Sequence, residues 1–190
     1  MRSQSHSQLQ SVGGFTLIEV LVAALVLAVG IVGAAGVQVA ALRTRHATGL
    51  MSDGVQLSSA LAERMRANPD QSQAGDGANA YLQLRYDALE GPPPQAGTMC
   101  FGGASCTSAQ MAAFDLYEIK LALYTDFPQG RVAVCRDAAV WSGVTRSLAW
   151  ECAAAANAPV VIKLGWRDRR APPDAKIVPS VALVVAGGAP

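Results

Sequence analysis

The chain is short of charge, of histidine and of aromatic residues. Charged residues are 15% of 190 positions, aromatics 6%, and 15 Lys plus Arg nearly balance 14 Asp plus Glu for a net charge of +1. That balance offers no basic field for a nucleic-acid backbone, so no nucleic-acid partner is expected. The only histidines are His6 and His46, both ahead of the part read below as globular. A Ser-His-Asp or Cys-His arrangement within that part is therefore excluded. No Cys-x-x-Cys occurs and no histidine follows His46, which removes the usual ligand spacings for zinc. Gly102-Gly103 is followed by no Walker lysine and reads as a turn rather than a phosphate loop. Asp115 and Glu118 read as a solvated pair on a helix surface, and Trp141, Trp150 and Trp166 as core or sheet-face residues. With no catalytic constellation left, the expectation is a protein that is not an enzyme and that uses no cofactor or metal.

What the chain has in excess is one apolar run. Val20 to Leu42 gives 23 residues without a charge, with Gln38 the only strongly polar one. A run of about 18 or more apolar residues can span a bilayer as a helix. This one exceeds the roughly 7–15 residues of a secretory signal's apolar region. It also leads directly into an amphipathic pattern, so the run is expected to stay in the mature protein. Glu19 stands at the front of the run. A carboxylate there is costly, about 2.5–3.5 kcal/mol at mid-membrane and less near an end, so it calls for a cationic partner. Gly30, Gly33 and Gly36 recur at every third position. They offer a small-residue face for another helix, and each weakens the helix by about 1 kcal/mol relative to Ala.

Past Leu42 the helical period continues. Ala47, Leu50, Gly54, Leu57, Leu61 and Met65 form one stripe, with Arg45, Ser52, Gln56, Ser59, Glu63 and Arg66 opposite. Pro69 biases Asn68 away from helix and marks the end. A helix from Phe15 to about Ala67 is roughly 78 Å long at 1.5 Å per residue, and a bilayer core takes only about 30 Å of it. The second half must project into water and cover its stripe with the rest of the chain.

The charges flanking the run, Arg2 before and Arg43 and Arg45 after, give no clean orientation by the positive-inside rule. The cysteines do. Cys100, Cys106, Cys135 and Cys152 all follow the run, and an even count suggests two disulfides in an exported region. Of the three possible connectivities the sequence alone selects none. The local pairing, Cys100–Cys106 and Cys135–Cys152, is preferred.

Residues 68–190 read as a small α+β domain. Thr107 and Gln110 make a capping-box pattern opening a helix to about Tyr124, with Met111, Phe114, Ile119 and Leu121–Leu123 as its candidate buried face. Strand-like runs follow at Arg131–Arg136, Arg146–Cys152, Val160–Trp166 and Val178–Val185. Short links suggest an antiparallel sheet, one face of which covers the helical stripe.

Gly14-Phe15-Thr16-Leu17-Ile18-Glu19 with the apolar helix behind it resembles the prepilin motif of type IV pilins and of type II secretion pseudopilins. Leu61-Ala62-Glu63-Arg64-Met65-Arg66-Ala67-Asn68-Pro69 is similar to the end of the long helix in PilV-type minor pilins. So are Cys106-Thr107 leading into Gln110–Leu116, and Ile162-Lys163-Leu164-Gly165-Trp166-Arg167. The resemblance implies a pilin fold with a leader (1–14), a long helix (15–67, its 15–42 part transmembrane and later fibre core) and a periplasmic globular domain (68–190). A prepilin peptidase would cut between Gly14 and Phe15 and N-methylate Phe15. The chain would reside in the inner membrane and then move into a pilus. Its partners would be other minor pilins, the major pilin, the inner-membrane assembly platform and a tip adhesin. Glu19 would pair with the Phe15 amine of an adjacent subunit, a group with a pKa near 7.7–8.0. The positive end of its own helix is the alternative partner. Two departures stand out. Gly13 occupies the place where many prepilins have Lys or Arg, and Gly36 the place where many major pilins have a helix-breaking Pro. The alternatives are a type II secretion pseudopilin, and a membrane-anchored periplasmic binding domain cut by ordinary signal peptidase or left uncut.

Overall fold

Helix α1 spans Leu17–Ala67, yet the chain divides within it into two units, Met1–Arg45 and His46–Pro190. The structure, a computed structural model, describes residues 14, 16–155, 157–168, 171–172 and 174–185, without the side chains of 46 and 47. Within the first unit, every described side chain from Leu17 to Arg45 is exposed. This part of α1 is long and apolar enough to cross a membrane, and among the described residues of its own unit none covers it.

The second unit is organised by the stripe on the rest of α1. Leu61, Ala62 and Met65 are almost wholly buried, and Leu50 and Leu57 pack at the margin. After the short helix α2 (Pro69–Ser72) and a 3₁₀ turn at Ala80–Gln83 come strand β1 (Arg85–Asp87) and helix α3 (Ser108–Asp126). Strands β2 (Arg131–Arg136), β3 (Trp141–Ser142), β4 (Ser147–Leu148), β5 (Val160–Gly165) and β6 (Val181–Val184) complete the chain. The main sheet runs β1-β2-β5-β6 and every pairing is antiparallel; β3 and β4 form a separate hairpin. Val132 faces Leu164 and Val134 faces Ile162 across β2 and β5. These four side chains join Leu61, Met65, Ile119 and Leu123 in one core.

α3 begins where the capping box predicts. The Gln110 N–H donates to Thr107 Oγ1 (3.3 Å) and the Thr107 N–H to Gln110 Oε1 (2.9 Å). The helix buries Ala112, Phe114, Asp115, Ile119 and Leu123, while Met111 and Leu121, expected inside, lie exposed. Strand β2 has its predicted bounds. The run predicted over Arg146–Cys152 is reduced to β4, because its second half pairs with side-chain groups instead of a ladder.

Those groups cover the far face of the sheet, which is why β5 is buried at all six positions. Lys163 projects there from the middle of β5. Its Nζ lies 2.6 Å from Asp137 Oδ2 and donates to the carbonyls of Ala149 (2.7 Å) and Glu151 (2.6 Å). Asp137 Oδ1 accepts from the N–H groups of Ala139 (2.9 Å) and Ala153 (3.0 Å). Arg131 stacks over the Trp150 ring at 4.5 Å, and Trp150 Nε1 donates to the Ile177 carbonyl. At Gly165 an added Cβ would stand 2.5 Å from the Val178 carbonyl oxygen, so only glycine lets that segment close over the sheet.

A buried ammonium is tolerated only when its hydrogen bonds and charge are all answered. Burial pushes the Asp137 carboxyl up, but the Lys163 contact and the two N–H donors outweigh it and hold the group below its ordinary 3.8. Asp137→Asn should therefore cost about 3–5 kcal/mol of unfolding free energy, because it strands the Lys163 charge. A depressed carboxylate contributes stability above its unfolded pKa and loses it as pH falls through the folded value. Urea titrations of the intact chain should show stability falling as the pH drops below 3.8. Asp137→Asn should lack that acid component.

Candidate functional site

The chain's amino-terminal signature sits at the start of α1. Gly14 and Thr16 are exposed and non-helical, and the helix begins at Leu17. The Thr16 carbonyl accepts the first turn's bonds, from the N–H groups of Glu19 (3.0 Å) and Val20 (3.3 Å). Glu19 lies in that first turn and is exposed, and among the described residues no cation pairs with it. Its one local source of stabilisation is the helix's positive end, worth about 0.3–1 kcal/mol at an exposed site. Phe15, on which the cleavage and methylation reading falls, lies outside the described residues, as do residues 1–13 of the leader. Gly30, Gly33 and Gly36 have nothing within 4 Å of an added Cβ; no contact among the described residues requires glycine there.

The four cysteines pair locally. Cys100–Cys106 closes the loop before α3, and Cys135–Cys152 ties β2 to the segment after the β3–β4 hairpin. Among the described residues no group of three or more His, Cys, Asp or Glu side chains could hold a metal ion.

A polar network that sequence reasoning missed fastens the end of α1. Arg64 donates to Asp115 (3.2 Å) and Glu118 (2.5 Å). Asp115, read as solvated, is instead buried, and its Oδ2 accepts from the Tyr81 hydroxyl at 2.7 Å. Asn68 Nδ2 donates to the same hydroxyl oxygen (3.2 Å) and to the Ser108 carbonyl (2.8 Å). Burial, and then the Asp115 acceptor, push the Tyr81 hydroxyl well above its ordinary value. The available signal was a pair of acids at three-residue spacing on α3 and an arginine in a predicted buried turn of α1. Higher on the same stripe, Gly54 makes room for Trp166, whose ring would stand 2.7 Å from an added Cβ. Trp150 and Trp166 are part-buried as expected, whereas Trp141 is 57% exposed.

A family model described as the prokaryotic N-terminal methylation motif matches residues 9–35. A second, Tt1218-like and described as type IV pilin Tt1218, matches residues 36–117. The two matches adjoin and cover the apolar run, the rest of α1, β1 and the first half of α3. The two matches together support the chain's membership of the type IV pilin family. Its methylation motif and uncovered apolar helix are those of a membrane-anchored pilin that assembles into a pilus. No curated protein and no solved structure matches the chain.

The network separates strong from weak contacts by burial. Tyr81→Phe keeps the ring but removes a donor from buried Asp115, and should cost about 1–3 kcal/mol. Glu118→Ala removes a pair whose side chains are 34% and 40% exposed, and should cost at most about 1 kcal/mol. Chemical denaturation of the two variants, compared with wild type, checks the order.

Proposed function

We propose that the chain is a minor pilin of a type IV pilus. In this reading a prepilin peptidase cuts between Gly14 and Phe15 and methylates the new Phe15 amine. The subunit waits in the inner membrane with His46–Pro190 in the periplasm. It then joins other minor pilins in the priming or tip complex from which major-pilin assembly, adhesion and twitching motility follow. The observation that carries the reading is the pairing of an exposed first-turn carboxylate, Glu19, with an apolar helix that its own unit leaves uncovered. Such a segment is built for two successive surroundings, lipid and then other helices. Two disulfides in the second unit fit an oxidising compartment. In the fibre Glu19 would meet the Phe15 amine of a neighbour, and in apolar surroundings that pair would fix register, because a slip leaves both charges unpaired.

Intact-mass analysis of the chain made beside a prepilin peptidase should show a start at N-methyl-Phe15. A retained leader, or a start elsewhere, rejects the reading. Glu19→Ala should be cleaved normally yet fall at least about a hundredfold in sheared pili, since removing one partner of a buried ion pair costs about 3–5 kcal/mol. Equal recovery of the variant would remove the intersubunit role of Glu19. Recovery with a secretion apparatus in place of pili would make the chain a pseudopilin.

A further inference from the structure

Beside the Asp126–Gln129 turn, the second unit carries two open clefts that share Asp126 and Phe127. The first, of about 610 Å³, runs between Leu50 of α1, Leu89 and Tyr124. The second, of about 550 Å³, is bounded by Asp53, Leu57 and Ala60 of α1. Together they form a groove alongside one stretch of α1. Its lining is apolar for a water-facing surface: Leu89 is 66% exposed and Tyr124 42%, beside Leu50, Leu57, Ala60 and Pro128. A contiguous exposed apolar patch of this kind, rimmed by polar groups, marks a contact surface.

The rim has one sign of charge. Asp53 and Asp126 line the groove, and Glu90 follows its exposed Leu89. Among the described residues none of the three forms an ion pair, and no Lys or Arg lines either cleft. An apolar floor with acidic edges selects an apolar segment that ends in cations. That chemistry is present in the molecule's own first unit. Val37-Gln38-Val39-Ala40-Ala41-Leu42 leads into Arg43 and Arg45, all exposed. Helix-in-groove recognition works through such apolar anchors at helical spacing.

We propose that this groove docks the basic end of the apolar N-terminal helix of a neighbouring pilin subunit, with Asp53 and Asp126 answering its cations. The proposal rests on the pilin reading above and names one contact surface for it. It explains why Leu89 and Tyr124, which line the groove, remain in water in the isolated chain. It also gives the first unit's basic junction a receptor once lipid is left behind.

A photo-crosslinking amino acid at Thr125, on the groove wall and exposed, tests it in cells that assemble pili, using the full chain. Peptide mapping of the adduct should place the cross-link just after the apolar run of a pilin subunit. Asp126→Arg should reduce the adduct about fivefold, the scale of one exposed ion pair. Asp70→Arg, at an exposed acid off the groove, should leave it unchanged. An adduct on a globular domain, on lipid or on nothing overturns the proposal, as does an adduct indifferent to Asp126→Arg. The cleaved, methylated amino terminus is read in the same samples. If it is intact while the cross-link fails, the docking surface falls and the minor-pilin reading stands; if it is absent, that reading fails first.

Discussion

One constraint governs the structure: the apolar side chains of α1 must be covered, and the two parts of the helix meet it differently. From His46 onward the stripe is narrow, and the sheet and α3 close over it. Burial of Leu61 and Met65 at roughly 25 cal/mol per Å² of apolar surface then does what helix propensity cannot, since most helical stability in proteins comes from packing one face. In the first unit the helix is apolar all round. No single face could satisfy it, so no small domain of this chain could cover it. A helix of that kind is a buried or membrane-spanning element, and here what surrounds it must come from outside the chain.

The second unit has its own demand, created by the sheet. One face of β2 and β5 is spent on α1, and the other would face water with Val161, Cys135 and Ala133 on it. The 137–159 connection covers it with very little regular structure, since β3 and β4 are two residues each. A connection this irregular needs fixed points. Lys163 supplies one by joining Asp137 with the Ala149 and Glu151 carbonyls. Cys135–Cys152 supplies a second within the same turn of chain. A disulfide of comparable loop length adds about 3 kcal/mol by restricting the unfolded chain, of the same order as the penalty for breaking a buried pair. Both ties act on a segment whose own ladder is only the two-residue β3–β4 hairpin.

These polar ties also explain what could be read from the sequence and what could not. The elements declared by local pattern were legible: the membrane-length run, the stripe ending at Asn68-Pro69, the Thr107–Gln110 cap and the Val-rich strands β2 and β5. Each rests on residues a few positions apart. The cysteine pairing was not fixed by the sequence, which left three connectivities open; the preferred local pairing is the one the structure contains. Asp115 was misread because its partners, Arg64 and Tyr81, lie 51 and 34 positions away, and helical spacing cannot tell a solvated acid from one that answers a distant arginine. Lys163 was invisible as a core residue for the same reason. Trp141 was assigned to the core or a sheet face on average tendency, and it sits exposed on a two-residue strand too short to have an inside. For the site, the Gly14–Glu19 signature was plain in the sequence, whereas the groove beside Asp126 exists only after α1, the Leu89 turn and the end of α3 come together.

The magnitudes around Glu19 decide which of its two partners can matter. At the exposed start of α1, a first-turn position gives a carboxylate about 0.3–1 kcal/mol from the helix's positive end. In apolar surroundings its cost approaches about 2.5–3.5 kcal/mol. The helix end therefore suffices while Glu19 sits at a wet membrane edge and falls short once the segment packs among other apolar helices. A shortfall of about 2 kcal/mol per subunit would disfavour assembly unless a cation arrives with it. On the proposed reading that cation is the Phe15 amine, and it exists only after cleavage. An uncut subunit would then be stable in lipid and penalised in a fibre, which makes processing a thermodynamic gate on assembly as well as the removal of a leader.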